Sequence, residues 1–127
     1  MPYKHLRGFT LVELLLAVMI LAGAIAGALL LFTSSMISSD QAWDTTIATS
    51  HGEHILEAMQ ALDSLEAIVA MNWQDWIARQ KLNTLPEEAI DIIFSDPDSN
   101  LLGIRINVHW TRKSRANQIV LQTKLTK

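Results

Sequence analysis

The chain has no cysteine, so no disulfide is available to hold any part of it together. Proline is scarce. Pro2, Pro86 and Pro97 are the whole set, and none lies between the first two. Glycine is almost as rare, with five residues, and none forms a phosphate-binding loop. No nucleophile–base constellation and no cofactor motif appears, so neither an enzyme nor a cofactor is expected. Basic side chains are also few. The formal charge is −3, and loss of Lys4 and Arg7 with the basic leader would leave eight basic against thirteen acidic side chains. That balance gives no support for general nucleic-acid binding.

What the chain does have is one long apolar run, from Phe9 to Phe32, behind the short basic leader Met1 to Arg7. Its length is about 36 Å as a helix, enough to cross a bilayer core of about 30 Å. Glu13 is the one ionisable residue in it. A carboxylate near the end of a membrane helix is costly and points to a functional partner. A cleavable secretory signal has a shorter apolar region followed by an A-x-A-like site, whereas here Thr33-Ser34-Ser35-Met36 follows. Lys4, His5 and Arg7 place the leader in the cytoplasm by the positive-inside rule, and the C-terminal part outside. Gly23 and Gly27 form a G-x-x-x-G that permits close helix approach, within a stretch rich in alanine.

Gly8-Phe9-Thr10-Leu11-Val12-Glu13-Leu14 resembles the prepilin motif of type IV pilins and type II secretion pseudopilins. The resemblance covers roughly residues 3 to 32. It implies that a prepilin peptidase cuts between Gly8 and Phe9 and methylates Phe9. It also implies partners: other pilins or pseudopilins, met through the N-terminal helix, and an assembly platform in the inner membrane. Physical reasons stand beside it. Gly8 has no side chain, so a protease can approach its carbonyl closely. After cutting, Phe9 carries an amine beside apolar surroundings, and Glu13 lies about one helical turn on. Pairing of that amine with a neighbour's Glu13 would fix the stagger between subunits and reduce the burial cost of both charges. Many major pilins carry a proline within this run. Its absence here suits a minor pilin or a pseudopilin.

Beyond Phe32 the chain turns polar, but apolar residues recur at Met36, Trp43, Ile47, Ile55, Met59 and Leu62, with His51 filling the interval. This spacing predicts that the helix continues as an amphipathic half over 33–62. Asp63 and Glu66 read as a capping box opening a second helix to about Asn83, with Leu65, Ile68, Val69, Trp73, Trp76 and Ile77 on its apolar face. Trp73 and Trp76 are expected in the core. Strands are expected at about 89–95, 102–111 and 118–126. The second alternates most clearly, with Ile104, Ile106, Val108 and Trp110 on one face. Thr111 to Asn117 reads as a polar hairpin loop. The expected class is α+β. A long N-terminal helix, half membrane-spanning and half amphipathic, packs on a small three-stranded antiparallel sheet, with a short second helix. That is the pilin arrangement by resemblance. The ending, Ile104 to Thr111 and then Gln118 to Thr123, is similar to minor pilins of the PilV type and to type II secretion pseudopilin I.

Three further clusters invite a functional reading. His51, Glu53, His54 and Glu57 share a helix, but the histidines are three apart rather than the four of a zinc hydrolase motif. Asp96, Asp98 and Asn100 match the first three ligand positions of a calcium loop, but Leu101 and Asn107 stand where glycine and glutamate belong. No metal is expected at either. Arg112, Lys113 and Arg115 make a basic hairpin tip. It is a candidate contact for a neighbouring subunit or, less in keeping with the overall charge, for DNA.

Overall fold

The computed structural model describes residues 8–96 and 100–126. The leader, Met1 to Arg7, lies outside the described residues. Helix α1 spans Leu11–Gln60, and shorter helices follow at Leu65–Ala70 (α2) and Trp73–Gln80 (α3). Three strands complete the chain: β1 at Ala89–Ser95, β2 at Leu101–Arg112 and β3 at Arg115–Thr126. They form one antiparallel sheet in the order β1-β2-β3. The architecture is therefore α+β, with a long N-terminal helix and a small antiparallel sheet. The chain divides into two units, residues 1–40 and 41–127.

In the first unit, the start of α1 is set by Thr10, whose Oγ1 accepts from the backbone N–H of Glu13 at 3.3 Å. The free N–H groups of a first turn need such an acceptor. The apolar side chains from Leu11 to Phe32 are exposed. This is one helix long and apolar enough to span a membrane.

In the second unit, the expected stripe on α1 is rotated. The buried face is Asp44, Ala48, Gly52, Ile55 and Met59, while Met36 in the first unit and Trp43 stay exposed. Size explains this choice. A Cβ built on Gly52 would stand 2.5 Å from Cδ1 of Leu121 on β3, so the two elements meet where α1 has no side chain. Ile47 and His51 sit at the margin of this face, half-buried.

The expected single second helix is two. Ser64, not Asp63, caps α2, its side chain accepting from Ala67 N at 3.2 Å. Met71 then turns extended, with ψ of 138°, and Asn72 opens α3 by accepting from Asp75 N at 3.2 Å. Asparagine competes for backbone hydrogen bonds better than it continues a helix, so the break falls there. Trp73 Nε1 donates to Ile68 O at 2.7 Å across the break, which places its indole in the core. Trp76 is half-buried and packs edge-on against Trp73. Leu65, Ile68 and Ile77 are buried as expected, but Val69 is exposed.

The sheet follows the alternation closely. Leu102, Ile104, Ile106, Val108 and Trp110 of β2 are buried, with Ile90 of β1, and the core joins them to Ile55, Met59, Ile68 and Trp73. The expected loop at Thr111–Asn117 shrinks to a two-residue turn. Lys113 and Ser114 both adopt positive φ, 50° and 62°, and strand pairing resumes at Arg112↔Arg115. Two left-handed residues match the twist of the flanking strands, which lets β3 begin three residues early.

Candidate functional site

Two places in the chain hold polar chemistry against the grain of their surroundings. The first is Glu13, in the first turn of α1 and surrounded by exposed leucine and valine side chains. Its carboxylate meets no partner among the described residues. Phe9 and Gly8 stand just ahead of α1, both exposed, and neither is part of a regular element. The expected cleavage bond thus lies in irregular chain, with Phe9 just ahead of α1 and Glu13 in its first turn.

The second place is the inner side of the C-terminal unit, where two acidic side chains are buried and each meets a basic group. Asp44 of α1 has a side chain only 2% exposed. Arg112, at the end of β2, donates from Nη2 to its Oδ1 at 2.7 Å. Arg112 Nε also lies 2.5 Å from Oδ2, as a charge contact rather than an aligned hydrogen bond. Such a forked approach suits guanidinium and carboxylate. Glu88, just ahead of β1, has a fully buried side chain. Its Oε1 lies 2.6 Å from His51 Nδ1, and its Oε2 accepts from Leu85 N at 2.8 Å. His51 Nε2 in turn stands 3.4 Å from Thr84 Oγ1. The imidazole thus contacts an acid on one side and a hydroxyl on the other, and these contacts fasten the segment 84–88 to α1. Leu85 is buried behind them.

This rearranges the basic tip. Arg112, Lys113 and Arg115 were expected to project together, but Arg112 is turned back to Asp44. Lys113 and Arg115 are exposed. The histidine cluster also separates: His51 faces Glu88, and His54 packs on the ring of Trp76 at 5.5 Å. Of the aspartate loop, Asp98 lies outside the described residues. No group of three histidine, aspartate or glutamate side chains comes within reach of one metal ion among the described residues.

Asp44 and Glu88 were missed in the sequence. Asp44 follows Trp43 and Glu88 closes the pair Glu87-Glu88, and nothing in either local sequence marks the acid as buried. A count of charge by segment carries more signal. From Ser99 to Lys127 there are six basic side chains and no acid, whereas residues 1–98 hold four basic and all thirteen acidic ones. The β2–β3 hairpin is thus a cationic element on an acidic chain. No family model, curated protein or solved structure matches the chain.

Proposed function

We propose that this chain is a minor type IV pilin: cut between Gly8 and Phe9 by a prepilin peptidase, held in the inner membrane by α1, and incorporated into a pilus or used to initiate its assembly. The observation that carries the reading is the exposed apolar helix near the N-terminus with a single unpartnered carboxylate, Glu13, in its first turn. An exposed apolar helix needs lipid or other helices around it, and a carboxylate there needs a cation. The amine that cutting creates on Phe9 supplies that cation, within a chain or between neighbours. The leader stays cytoplasmic and the C-terminal unit is exported. A type II secretion pseudopilin of the I type shares every feature named here; gene neighbourhood separates the two. The reading that the basic tip captures DNA loses support, because Arg112 is engaged with Asp44.

The experiment is Glu13→Ala in a cell that builds the filament. Membrane insertion should be unchanged, since removing the carboxylate favours insertion by about 2 kcal/mol or less at this end of the helix. Incorporation into filaments should fall roughly tenfold or more, by the loss of one charge pair in low dielectric. Unchanged incorporation, measured by immunoblot of sheared filaments, would refute the pairing role.

A further inference from the structure

The sheet has two edges, and they are finished differently. The two-residue turn makes Arg112 and Arg115 the closing hydrogen-bonded pair of the β2–β3 hairpin. Pairing then alternates, so Ala116, Gln118, Val120, Gln122, Lys124 and Thr126 turn their backbone N–H and C=O away from β2. By the same alternation across β2, Ile90, Ile92 and Phe94 are the outward residues of β1. That edge is stopped: Gln74 of α3 donates from Nε2 to Ile90 O at 2.8 Å. No element pairs with the outward side of β3 among the described residues.

β3 is long for an open edge, at twelve residues, and has neither proline nor bulge. Such edges are templates for another strand unless they are blunted. Its inner face is also unfinished. The inward apolar residues of β2 are all buried, but Ile119, Leu121 and Leu125 are only half covered. A further strand alongside would cover them. On the outer face, Lys124 lies opposite Gly103 of β2 and diagonal to Arg105, so two cationic side chains stand beside the place a fourth strand would take. The hairpin carries no acid.

We propose that β3 is a docking edge for one extended segment of another polypeptide, which adds to the sheet as a fourth strand with apolar side chains inward and acidic ones outward. Backbone groups provide the attachment, and the alternating side chains provide the selectivity. Two copies of β3 would bring cationic strands with no acid together, which disfavours a second copy as the occupant. Nucleic acid would use the charge but not the open backbone edge. The hairpin's one large aromatic, Trp110, is buried and offers no face for base stacking. The proposal does not depend on what α1 does in the membrane.

The test uses the full chain in uncharged detergent micelles and a labelled synthetic peptide of about ten residues, a usual strand length, in which valine and glutamate alternate. Binding by fluorescence anisotropy is expected, with slowed amide exchange at Gln118, Val120, Gln122 and Lys124. The same peptide with lysine for glutamate should bind roughly tenfold more weakly or worse. Gln122→Pro removes one outward N–H and leaves the β2–β3 ladder intact, as proline is tolerated on edge strands. It should weaken binding roughly tenfold while far-UV circular dichroism stays unchanged. Equal binding of the lysine peptide, binding without protection of β3, or full binding by a folded Gln122→Pro would overturn the proposal. So would single-stranded DNA displacing the peptide with no exchange change, which assigns a polyanion. Protection that rises with protein concentration alone would assign a second copy and overturn it too. Should Gln122→Pro fail to fold, the two peptides on the unaltered chain still decide.

Discussion

Replacing Arg112 by alanine is expected to destabilise the C-terminal unit by about 2–3 kcal/mol. The reason is Asp44, whose side chain is 2% exposed and has no other cationic partner among the described residues once the guanidinium is gone. Breaking a fully buried pair typically costs about 3–5 kcal/mol, because the remaining charge is stranded. Arg112 is 37% exposed, so water can partly replace it, and the lower figure follows. The double variant Asp44→Asn with Arg112→Ala removes the stranded charge and should recover about 1 kcal/mol or more of that loss. Urea unfolding in uncharged micelles, followed by tryptophan fluorescence, measures all three. An Arg112→Ala midpoint equal to that of the unaltered chain would show that Asp44 does not need this partner.

Ile106→Ala should cost about 3–4 kcal/mol. Ile106 is 0% exposed on the central strand, paired with Ile92 on one side and Leu121 on the other. Both flanking strands hold its backbone in place, so the structure cannot collapse into the space that the side chain leaves. A small unit has little to spare, since whole domains are stable by only about 5–15 kcal/mol. Ile93→Ala is the contrast. Its side chain is 48% exposed on the opposite face of β1, and the loss should stay under about 1 kcal/mol. The two variants in the same unfolding assay separate burial from β propensity, because both remove the same atoms from a strand. Equal losses would contradict the assigned inner face.

The sheet was legible because its signal is local. Ile104 to Trp110 alternates with Arg105, Asn107 and His109, and a strand with one covered face demands that pattern. The long helix was legible for a similar reason, since from Leu11 nothing interrupts it for fifty residues. The rotated face of α1 was not legible. Hydrophobicity favoured Met36 and Trp43, whereas the packing selected the small residues Ala48 and Gly52 and an aspartate that a distant arginine neutralises. That choice depends on Arg112, sixty-eight residues away. The hairpin turn was hidden by its chemistry. Lys113-Ser114 lacks the asparagine and glycine that usually mark a left-handed pair. The cap at Ser64 differs from Asp63 by one position, which two adjacent capping residues do not resolve in sequence. Glu13 was legible as well, because one carboxylate among apolar neighbours is visible in the sequence and stays unpartnered among the described residues.

The proposed function turns on the bond between Gly8 and Phe9. Intact mass spectrometry of the protein, purified from the membrane of a cell that carries a prepilin peptidase, tests it most directly. The expected result is a chain that begins at Phe9 with one methyl group on its amine. A chain that still begins at Met1, or one cut at any other bond, would contradict the pilin reading.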